Sequence, residues 1–406
     1  MAEYQLRPIA PEEFPIWGRA VENAFGNHPD EQDWKDLVEF DRTVAVFDGE
    51  EIVANAGAFT FDLTLPGLTS TQVAGVTAVG VRTDRRRQGL LTRMMEHQLD
   101  DVAQRGESLA ILLASESIIY GRFGYGMATS VAHYEIDSHH DGFLPRIPIT
   151  GTVRPIDAEA AAKTLPALHD VARRQRAGDL PRVQPWWDLY FKDKEKQRDG
   201  GTARFYAVHE AAPGQADGYV SWRIKHSWDD AIANNELRID EMVSTSPEAT
   251  AALWRYVLDV DLVGKVTAWS ALDEPLRWML SDPRRLLVKG VHDFLWVRLL
   301  DIPVAMAARR YAVDDSLVVE VADAFRPSSA GRYRIEGGPD GASCTPTTDA
   351  ADLALDVTDL GALYLGGTTA TQLALAQRGD ELTPGARRRA DAFFASSPLP
   401  YCRTDF

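Results

Sequence analysis

Three consecutive arginines stand between a predicted strand and a predicted helix. The stretch "VTAVGV" is rich in β-branched and small apolar residues, as a buried strand is, and leads into "RRRQG" at residues 85–89. From Leu91 onward, apolar residues recur at helical spacing. The N-terminus of a helix has unpaired backbone N–H groups and the positive end of the helix dipole. Basic side chains at this point therefore indicate a phosphate site. A solvated helix start, or arginines that neutralise acidic neighbours such as Asp84, are the alternatives.

The composition argues against several classes of partner. Among its 406 residues the chain has 60 acidic and 43 basic ones, a formal net charge of −17. That charge disfavours non-specific binding to nucleic acids and to anionic membranes. The sequence has no uncharged apolar run of membrane-spanning length and no signal-peptide pattern at its start. Its two cysteines are too few for a disulfide framework or a zinc cluster. We expect a cytoplasmic protein that needs no metal.

The order of helical and strand patterns predicts three successive regions. Residues 1–145 contain a helix in "PEEFPIWGRAVENAF", a hairpin that turns at Asp48-Gly49, the arginine segment and a buried strand in "LAILLASES". Residues 146–298 repeat a similar order, with "STSPE" where the arginines stand in the first region, which indicates an internal duplication. The alternative is the ordinary alternation of strands and helices in any α/β domain. Residues 299–406 alternate short strands with helices. The predicted fold class is α+β.

Two common phosphate-binding motifs are absent. A Walker loop requires Gly-Lys-Ser/Thr, and a dinucleotide-binding fingerprint requires three glycines in one turn. The sequence offers instead a turn of the type Arg/Gln-x-x-Gly-x-Gly/Ala, at residues 86–91. This turn, with "SESIIYGRFGYG" downstream, resembles the GNAT superfamily of acetyl-CoA-dependent N-acyltransferases. More narrowly, "RRRQGLLTRMM", "LDDVAQRG" and "LASESIIYGRFGYGMAT" resemble the enhanced intracellular survival (Eis) family of aminoglycoside acetyltransferases. Leu91 departs from the general turn, which has a small residue there.

The resemblance implies both an architecture and a reaction. The architecture is two tandem GNAT domains with mixed central sheets, of which the second lacks the acetyl-CoA turn, followed by a sterol-carrier-protein-like α+β domain. The reaction is transfer of acetyl from acetyl-CoA, by direct attack, to a primary amine of a cationic acceptor such as an aminoglycoside or a polyamine. No metal is implied. The resemblance also implies a homo-oligomer, namely a hexamer.

The same resemblance implies which residues bind the cosubstrate. The backbone of Val79 and Val81 would pair with the pantetheine arm, and the N–H groups of residues 87–91 would surround the pyrophosphate. Gly89 would permit close approach of the backbone, and two arginine side chains would add charge-assisted contacts. The cofactor-binding residues implied are Val79, Val81, Arg86, Arg87, Gln88, Gly89, Leu90, Leu91 and Ser115.

The residues implied for catalysis come from distant parts of the chain. Tyr120 matches the position of the GNAT general acid, which protonates the departing thiolate. The α-carboxylate of Phe406 matches the family's base, and Asp405 would attract a cationic acceptor. Phe25 and Trp34 resemble the aromatic walls of the family's substrate cavity. The alternatives are ordinary core packing for Tyr120, Phe25 and Trp34, and a frayed chain end.

Two other functions remain open from the sequence. One is an acyltransferase that uses a longer acyl-CoA or a peptide acceptor, since N-myristoyltransferases also resemble tandem GNAT domains. The other is a non-catalytic protein that binds acyl-CoA or lipid through its C-terminal region. A catalytic acid candidate together with an intact phosphate turn favours the acetyltransferase.

Overall fold

The structure, a computed structural model, describes residues 4–27, 33–138 and 142–406. It forms two compact units, one made of Met1–Thr129 and Phe294–Phe406 and the other of Ser130–Asp293. Among the described helices, none combines the length and the apolar character that crossing a membrane requires.

The N-terminal part of the larger unit contains the segment with three consecutive arginines. Its elements are β1 (Gln5–Arg7), α1 (Phe14–Phe25), β2 (Val44–Asp48), β3 (Glu51–Thr64), β4 (Ser70–Val81), α2 (Leu90–Gln104), β5 (Leu109–Leu113), α3 (Ser117–Tyr120) and β6 (Gly126–Met127). The predicted first helix and the predicted hairpin are both confirmed. Gly49 takes the left-handed conformation (φ 64°) that the tight β2–β3 turn needs.

The smaller unit and the C-terminal region follow along the chain. The smaller unit contains β7 (Ser130–Asp137), β8 (Thr152–Ile156), α4 (Ala158–Arg173), α5 (Gln184–Lys192), β9 (Phe205–Ala212), β10 (Gln215–Lys225), β11 (Trp228–Asp229), β12 (Ile232–Ala233), β13 (Asn235–Ser244), α6 (Pro247–Leu258), β14 (Val263–Ser270), α7 (Leu276–Met279) and β15 (Leu286–Asp293). The remainder contains β16 (Leu295–Leu299), α8 (Ile302–Ala308), β17 (Asp315–Ala322), β18 (Gly331–Gly337), β19 (Ala342–Pro346), β20 (Leu353–Asp356), α9 (Val357–Tyr364), α10 (Ala370–Leu375), β21 (Asp380–Glu381) and α11 (Ala386–Phe394).

The two large sheets have the same plan. The order of strands is β1-β2-β3-β4-β5-β16-β6 in one and β8-β9-β10-β13-β14-β7-β15 in the other, with seven strands in each. In both sheets the fourth and fifth strands run parallel and all other neighbours run antiparallel. A separate five-stranded sheet, β19-β18-β17-β20-β21, lies in the C-terminal region. The predicted mixed-sheet α+β fold is confirmed, and the repeated plan agrees with an internal duplication.

The sheets divide the chain at other places than the predicted boundaries at 145 and 298. Strand Ser130–Asp137 pairs within the second sheet, and Leu295–Leu299 pairs within the first. Along the chain, β7 follows a strand of the first sheet but is the sixth strand of the second sheet, and β16 follows a strand of the second sheet but is the sixth strand of the first. Sequence order could not reveal this exchange, because pairing between strands depends on partners more than a hundred residues away. The division into 1–145, 146–298 and 299–406 stays a prediction of successive sequence regions.

The C-terminal region packs closely on the first sheet at two glycines. A Cβ on Gly126 of β6 would overlap the Thr358 carbonyl oxygen and lie 2.6 Å from the Ala362 nitrogen, both in α9. A Cβ on Gly361 would lie 2.5 Å from the Val297 carbonyl oxygen. Helix α9 therefore lies backbone against backbone on β6 and β16.

The first prediction concerns this contact. Gly126→Ala should lower the free energy of unfolding by about 1–3 kcal/mol, because the added methyl group overlaps backbone that cannot yield cheaply. Thermal unfolding followed by circular dichroism measures the change. Gly121→Ala is the matched control, since Gly121 has an ordinary helical φ of −56° and no atom within 4 Å of an added Cβ. Equal stability of the two variants would contradict the packing described.

Candidate active site

The candidate site begins where two parallel strands separate. β4 pairs with β5 at three positions, the last being Val76 with Leu112, and β4 then continues five residues further to Val81. Within the residues that the structure describes, no strand pairs with the β5-facing edge of β4 beyond Val76. Backbone groups on this edge are therefore open to a ligand that lies alongside the strand.

A bulge in β4 accompanies this separation. Asn55 pairs with Gly80 and Gly57 with Thr77, so that two residues of β4 lie opposite one residue of β3. Ala78 takes a left-handed φ of 55°, which is uncommon for a residue with a side chain. The Asn55 amide nitrogen donates to the Ala78 carbonyl oxygen at 2.5 Å and holds this conformation. The bulge turns the end of β4 away from β5.

The segment after β4, residues 85–89, is called the arginine turn below, and it ends at an uncapped helix. Gly89 is the N-cap of α2, with φ 79°, and no side chain caps the helix there. The first backbone bond of this helix runs from the Arg93 N–H to the Gly89 carbonyl oxygen at 3.0 Å. The N–H groups of residues 90–92 thus precede the helical hydrogen bonds. With Arg87 also left-handed (φ 62°), the turn forms a concave row of donors that suits an anion.

The arginines around the turn differ in their partners. Arg85 forms ion pairs with Asp84 and Asp48 at 2.9 and 3.1 Å, as the neutralising alternative proposed. For Arg86 the structure shows a long contact of 3.5 Å from Nε to the Val81 carbonyl oxygen. Neither Arg86 nor Arg87 forms an ion pair with any described residue. These two therefore provide the positive charge that is available to a ligand.

A cleft of about 570 Å³ connects the arginine turn to Tyr120. It is lined by residues 24, 25, 79–81, 85–87, 89–92, 115, 116, 119, 120 and 122. The structure thus brings together eight of the nine residues implied for the cofactor, together with Tyr120 and Phe25. Gln88 is the exception, and its side-chain oxygen accepts a hydrogen bond from the Tyr4 hydroxyl at 2.7 Å.

Tyr120 ends α3 and is 5% exposed. It belongs to a packed cluster with Val76 of β4 and Met95 of α2. Burial raises the pKa of its phenol above the ordinary value of 10, a hydrogen bond with Ser115 lowers it, and the charge of Glu116 raises it. The net effect is upward, so the phenol keeps its proton at neutral pH and can act as a proton donor.

The chain end lies on the other face of β4. A Cβ on Gly75 would lie 3.1 Å from the Phe406 ring, whose centroid is 5.0 Å from that of Phe61. Neighbouring residues of a strand face opposite sides, and Val76 faces the cluster that contains Tyr120. The final residue and Tyr120 therefore flank β4 from opposite faces, at the position where β4 and β5 separate.

The remaining implied substrate residues occupy different environments. Phe25, at the end of α1, is 47% exposed and lines the cleft. Trp34 lies instead in the aromatic packing of α1, where its ring is 5.2 Å from Phe14 and its Nε1 donates to Glu22 at 2.6 Å. This is the core role that the sequence left open for it. Asp405 is exposed next to the terminal residue.

Sequence reasoning missed several residues of the cleft. Thr92 lies in the first turn of α2, and its place was readable from the helix start. Arg122 lines the cleft two residues after Tyr120, inside the motif that carried the resemblance. Gly80 allows α1 to approach β4, because a Cβ there would lie 2.5 Å from the Cβ of Ala24. That last contact joins segments more than fifty residues apart and has no local signal.

Models of known protein families match three regions of the chain. Residues 5–128 and 178–299 match models of the acetyltransferase (GNAT) domain, and residues 302–403 match a sterol carrier protein domain. The chain is therefore a tandem GNAT protein with a C-terminal sterol-carrier-type domain.

Full-length relatives define the family. An "Uncharacterized N-acetyltransferase" of Streptomyces avermitilis is 38% identical, over 98% of each chain. The N-acetyltransferase Eis of Mycobacterium tuberculosis is 33% identical, over 89% of each chain. The crystal structure of Eis1 from Mycobacterium abscessus superposes with a TM-score of 0.88 at 33% identity, over 100% of both chains. The chain belongs to the Eis family of GNAT N-acetyltransferases, and it is an enzyme of that class.

The second prediction concerns the ionisation of Tyr120. Tyr120 should ionise, and add the near-ultraviolet absorbance of a phenolate, only above about pH 10, because burial favours the neutral phenol. The measurement is a pH titration of the wild-type protein minus that of Tyr120→Phe. Ser115→Ala should move the transition to still higher pH, since it removes the hydrogen bond that lowers the pKa. A transition below pH 10, or a downward movement in Ser115→Ala, would count against the assignment.

Proposed function

We propose that the enzyme transfers acetyl from acetyl-CoA to a primary amine of a cationic small molecule. The observation that carries the proposal is the single cleft that runs from the arginine turn, along the open edge of β4, to the buried phenol of Tyr120. A CoA thioester has the same sequence of features, namely a pyrophosphate, an amide-containing arm and a sulfur that leaves as a thiolate.

The residues of the cleft fit this cosubstrate. Uncapped N–H groups at residues 90–92 and the free charges of Arg86 and Arg87 suit the pyrophosphate. The open backbone of Val79 and Val81 suits the amides of the pantetheine arm, in the manner of an added strand. Gln88 takes part through its backbone only, because its side chain is turned toward Tyr4.

The chemistry assigned to the chain is the handling of two protons. Acetyl-CoA supplies an activated acyl group, and an amine attacks it only after losing a proton. We propose that the α-carboxylate of Phe406 accepts this proton on one face of β4. Tyr120 donates its phenolic proton to the leaving sulfur on the other face. Burial holds the pKa of Tyr120 above the ordinary phenol value of 10. Protonation of a thiolate whose conjugate acid lies near 8.5 therefore requires that the phenol and the sulfur be held together.

Charge and aromatic surface support a cationic acceptor. The chain has a formal net charge of −17, and Asp405 is exposed beside the terminal ring. The Phe406 ring packs against the Phe61 ring, and the centroids of the Phe61 and Phe59 rings are 5.9 Å apart. Aromatic faces and carboxylates together bind ammonium groups. Aminoglycosides and polyamines have several such groups. A hexameric assembly and a cytoplasmic location stay predictions from the resemblance and from the composition.

The third prediction tests the binding of acetyl-CoA. Arg87→Gln should weaken the affinity for acetyl-CoA about tenfold, because it removes a charge-assisted contact to phosphate. No carboxylate among the described residues pairs with the Arg87 guanidinium. Isothermal titration calorimetry measures the dissociation constant. Arg82→Gln is the matched control, since Arg82 is occupied by Glu51 and Asp84 at 2.8 and 2.7 Å and lies outside the cleft. It should change the affinity by less than about twofold. Equal losses would refute a specific phosphate contact.

The fourth prediction tests the reaction. The wild-type enzyme should release free thiol from acetyl-CoA in the presence of aminoglycosides or polyamines. Tyr120→Phe should lower kcat roughly 10²-fold, as loss of a general acid does, and one alanine appended after Phe406 should also lower kcat because it moves the carboxylate.

The acyl donor and the acceptor are varied in the same assay to separate the alternatives. A preference for a longer acyl-CoA, or for a peptide acceptor, would favour a different acyltransferase. Binding of acetyl-CoA without turnover on any amine would favour a non-catalytic protein. Full activity of both variants would retain the enzyme and reject the assigned acid and base.

A further inference from the structure

The segment that contains Tyr120 packs against a residue far away in the sequence. Residues 120–125, called the tyrosine turn here, close on themselves through two backbone bonds. The Gly124 N–H donates to the Gly121 carbonyl oxygen at 2.9 Å, and the Tyr125 N–H donates to the Tyr120 carbonyl oxygen at 3.3 Å. Any shift at Gly124 or Tyr125 is therefore transmitted to the backbone of Tyr120.

A fully buried arginine lies against this turn. Arg298, on β16, is 0% exposed. Its Nη2 donates to Asp323 Oδ2 at 2.6 Å, and both side chains of this pair are inaccessible to solvent. Asp323 follows β17 in the C-terminal region, and its other oxygen accepts the N–H groups of Phe325 and Arg326 at 3.2 and 2.9 Å. The backbone two and three residues further along thus holds the Asp323 carboxylate, and the carboxylate in turn holds the Arg298 guanidinium.

The guanidinium supports the turn through Gly124. A Cβ on Gly124 would overlap Nη1 of Arg298 and lie 2.6 Å from Cζ and 2.9 Å from Nε. The guanidinium plane therefore covers the α-carbon. Gly124 also has φ 88°, so any side chain there would be strained as well as overlapped. This close contact explains why glycine stands at the position.

Arg298 also acts electrostatically on Tyr125, because burial raises the pKa of the Tyr125 phenol and the positive charge of Arg298 lowers it. Nε and Nη1 of Arg298 and the hydroxyl of Tyr125 are buried, and none of the three has a hydrogen-bond partner among the described residues. The Tyr125 ring packs edge-on against the Tyr120 ring, with centroids 6.1 Å apart. Leaving three buried polar atoms unsatisfied is costly.

We infer that Arg298 is a positioning residue for Tyr120, held by Asp323 of the C-terminal region and acting through Gly124 and Tyr125. A proton donor must be placed within a fraction of an ångström of its target, and such accuracy comes from the groups packed behind it. The C-terminal region thereby acquires a second role besides providing the chain end. The inference rests on the proposed acid role of Tyr120.

The fifth prediction is a double-mutant cycle between Arg298→Lys and Tyr120→Phe. Arg298→Lys keeps the positive charge near Asp323 but loses the plane that covers Gly124. In the presence of Tyr120 it should lower kcat about tenfold, with KM for acetyl-CoA changed less than about twofold. In the Tyr120→Phe background the same change should alter kcat by less than about twofold, because the group it positions is gone.

Arg42→Lys is the matched control. Arg42 is also buried in the same unit, with 2% of its side chain exposed, and pairs with Glu107 at 2.5 Å. Any effect of Arg42→Lys on kcat should be the same with and without Tyr120. If Arg298→Lys also lowers kcat by one factor in both backgrounds, Arg298 is only structural and the inference is overturned.

Hydrogen–deuterium exchange provides a readout that does not depend on turnover. Arg298→Lys should accelerate exchange in a peptide that covers residues 117–127, whereas Arg42→Lys should leave that peptide unchanged. Unchanged exchange in Arg298→Lys overturns the inference even if the enzyme is active. If the wild-type enzyme acetylates no amine, the proposed function fails separately, and exchange still decides whether Arg298 holds the turn. Asp323→Asn, which keeps the shape of the partner, should accelerate exchange in the same peptide.

Discussion

The separation of two parallel strands after Val76 is the constraint on which the candidate site depends. Parallel neighbours normally satisfy each other's backbone along their length. Here the bulge at Ala78, held by Asn55, directs the end of β4 away from β5. The unpaired edge that results leads straight into the arginine turn and the uncapped start of α2. A ligand with an amide arm and a pyrophosphate can therefore satisfy strand and helix donors in one continuous path.

The same separation explains why the assigned acid and base come from distant segments. The gap between β4 and β5 beyond Val76 is open to both faces of the sheet, so side chains from either face can reach it. Tyr120 approaches with the cluster that packs on α2, and Phe406 approaches beside Gly75. The approach of Phe406 depends on a small residue, since a Cβ on Gly75 would lie 2.5 Å from the Phe61 ring and 3.1 Å from the Phe406 ring. The C-terminal region contacts both sides of this arrangement, through the chain end and through the Arg298–Asp323 pair.

The second sheet shows the common plan without the arginine turn. Its β13 and β14 also run parallel, and α6 follows β13 as α2 follows β4. Here, however, the Ser246 hydroxyl oxygen accepts the Ala249 N–H at 3.1 Å, while the hydroxyl donates to Asp217 at 2.7 Å. Pro247 removes a further donor. The helix start is thus capped by its own residues and has a carboxylate beside it, so its free donors and local charge no longer favour an anion.

The sequence by itself determined the features that depend on neighbours along the chain. The arginine turn, the strand before it and the helix after it were readable because their signals are local periodicity and composition, and the motif around Tyr120 indicated the family. The tertiary structure alone decided features that join distant segments. These are the pairing of β7 and β16 with distant strands, the packing of Trp34 on α1, the ion pair of Arg85 with Asp48, and the contact of Arg298 with Gly124. Their physical basis is burial and pairing between residues separated by tens to hundreds of positions, which no local pattern records.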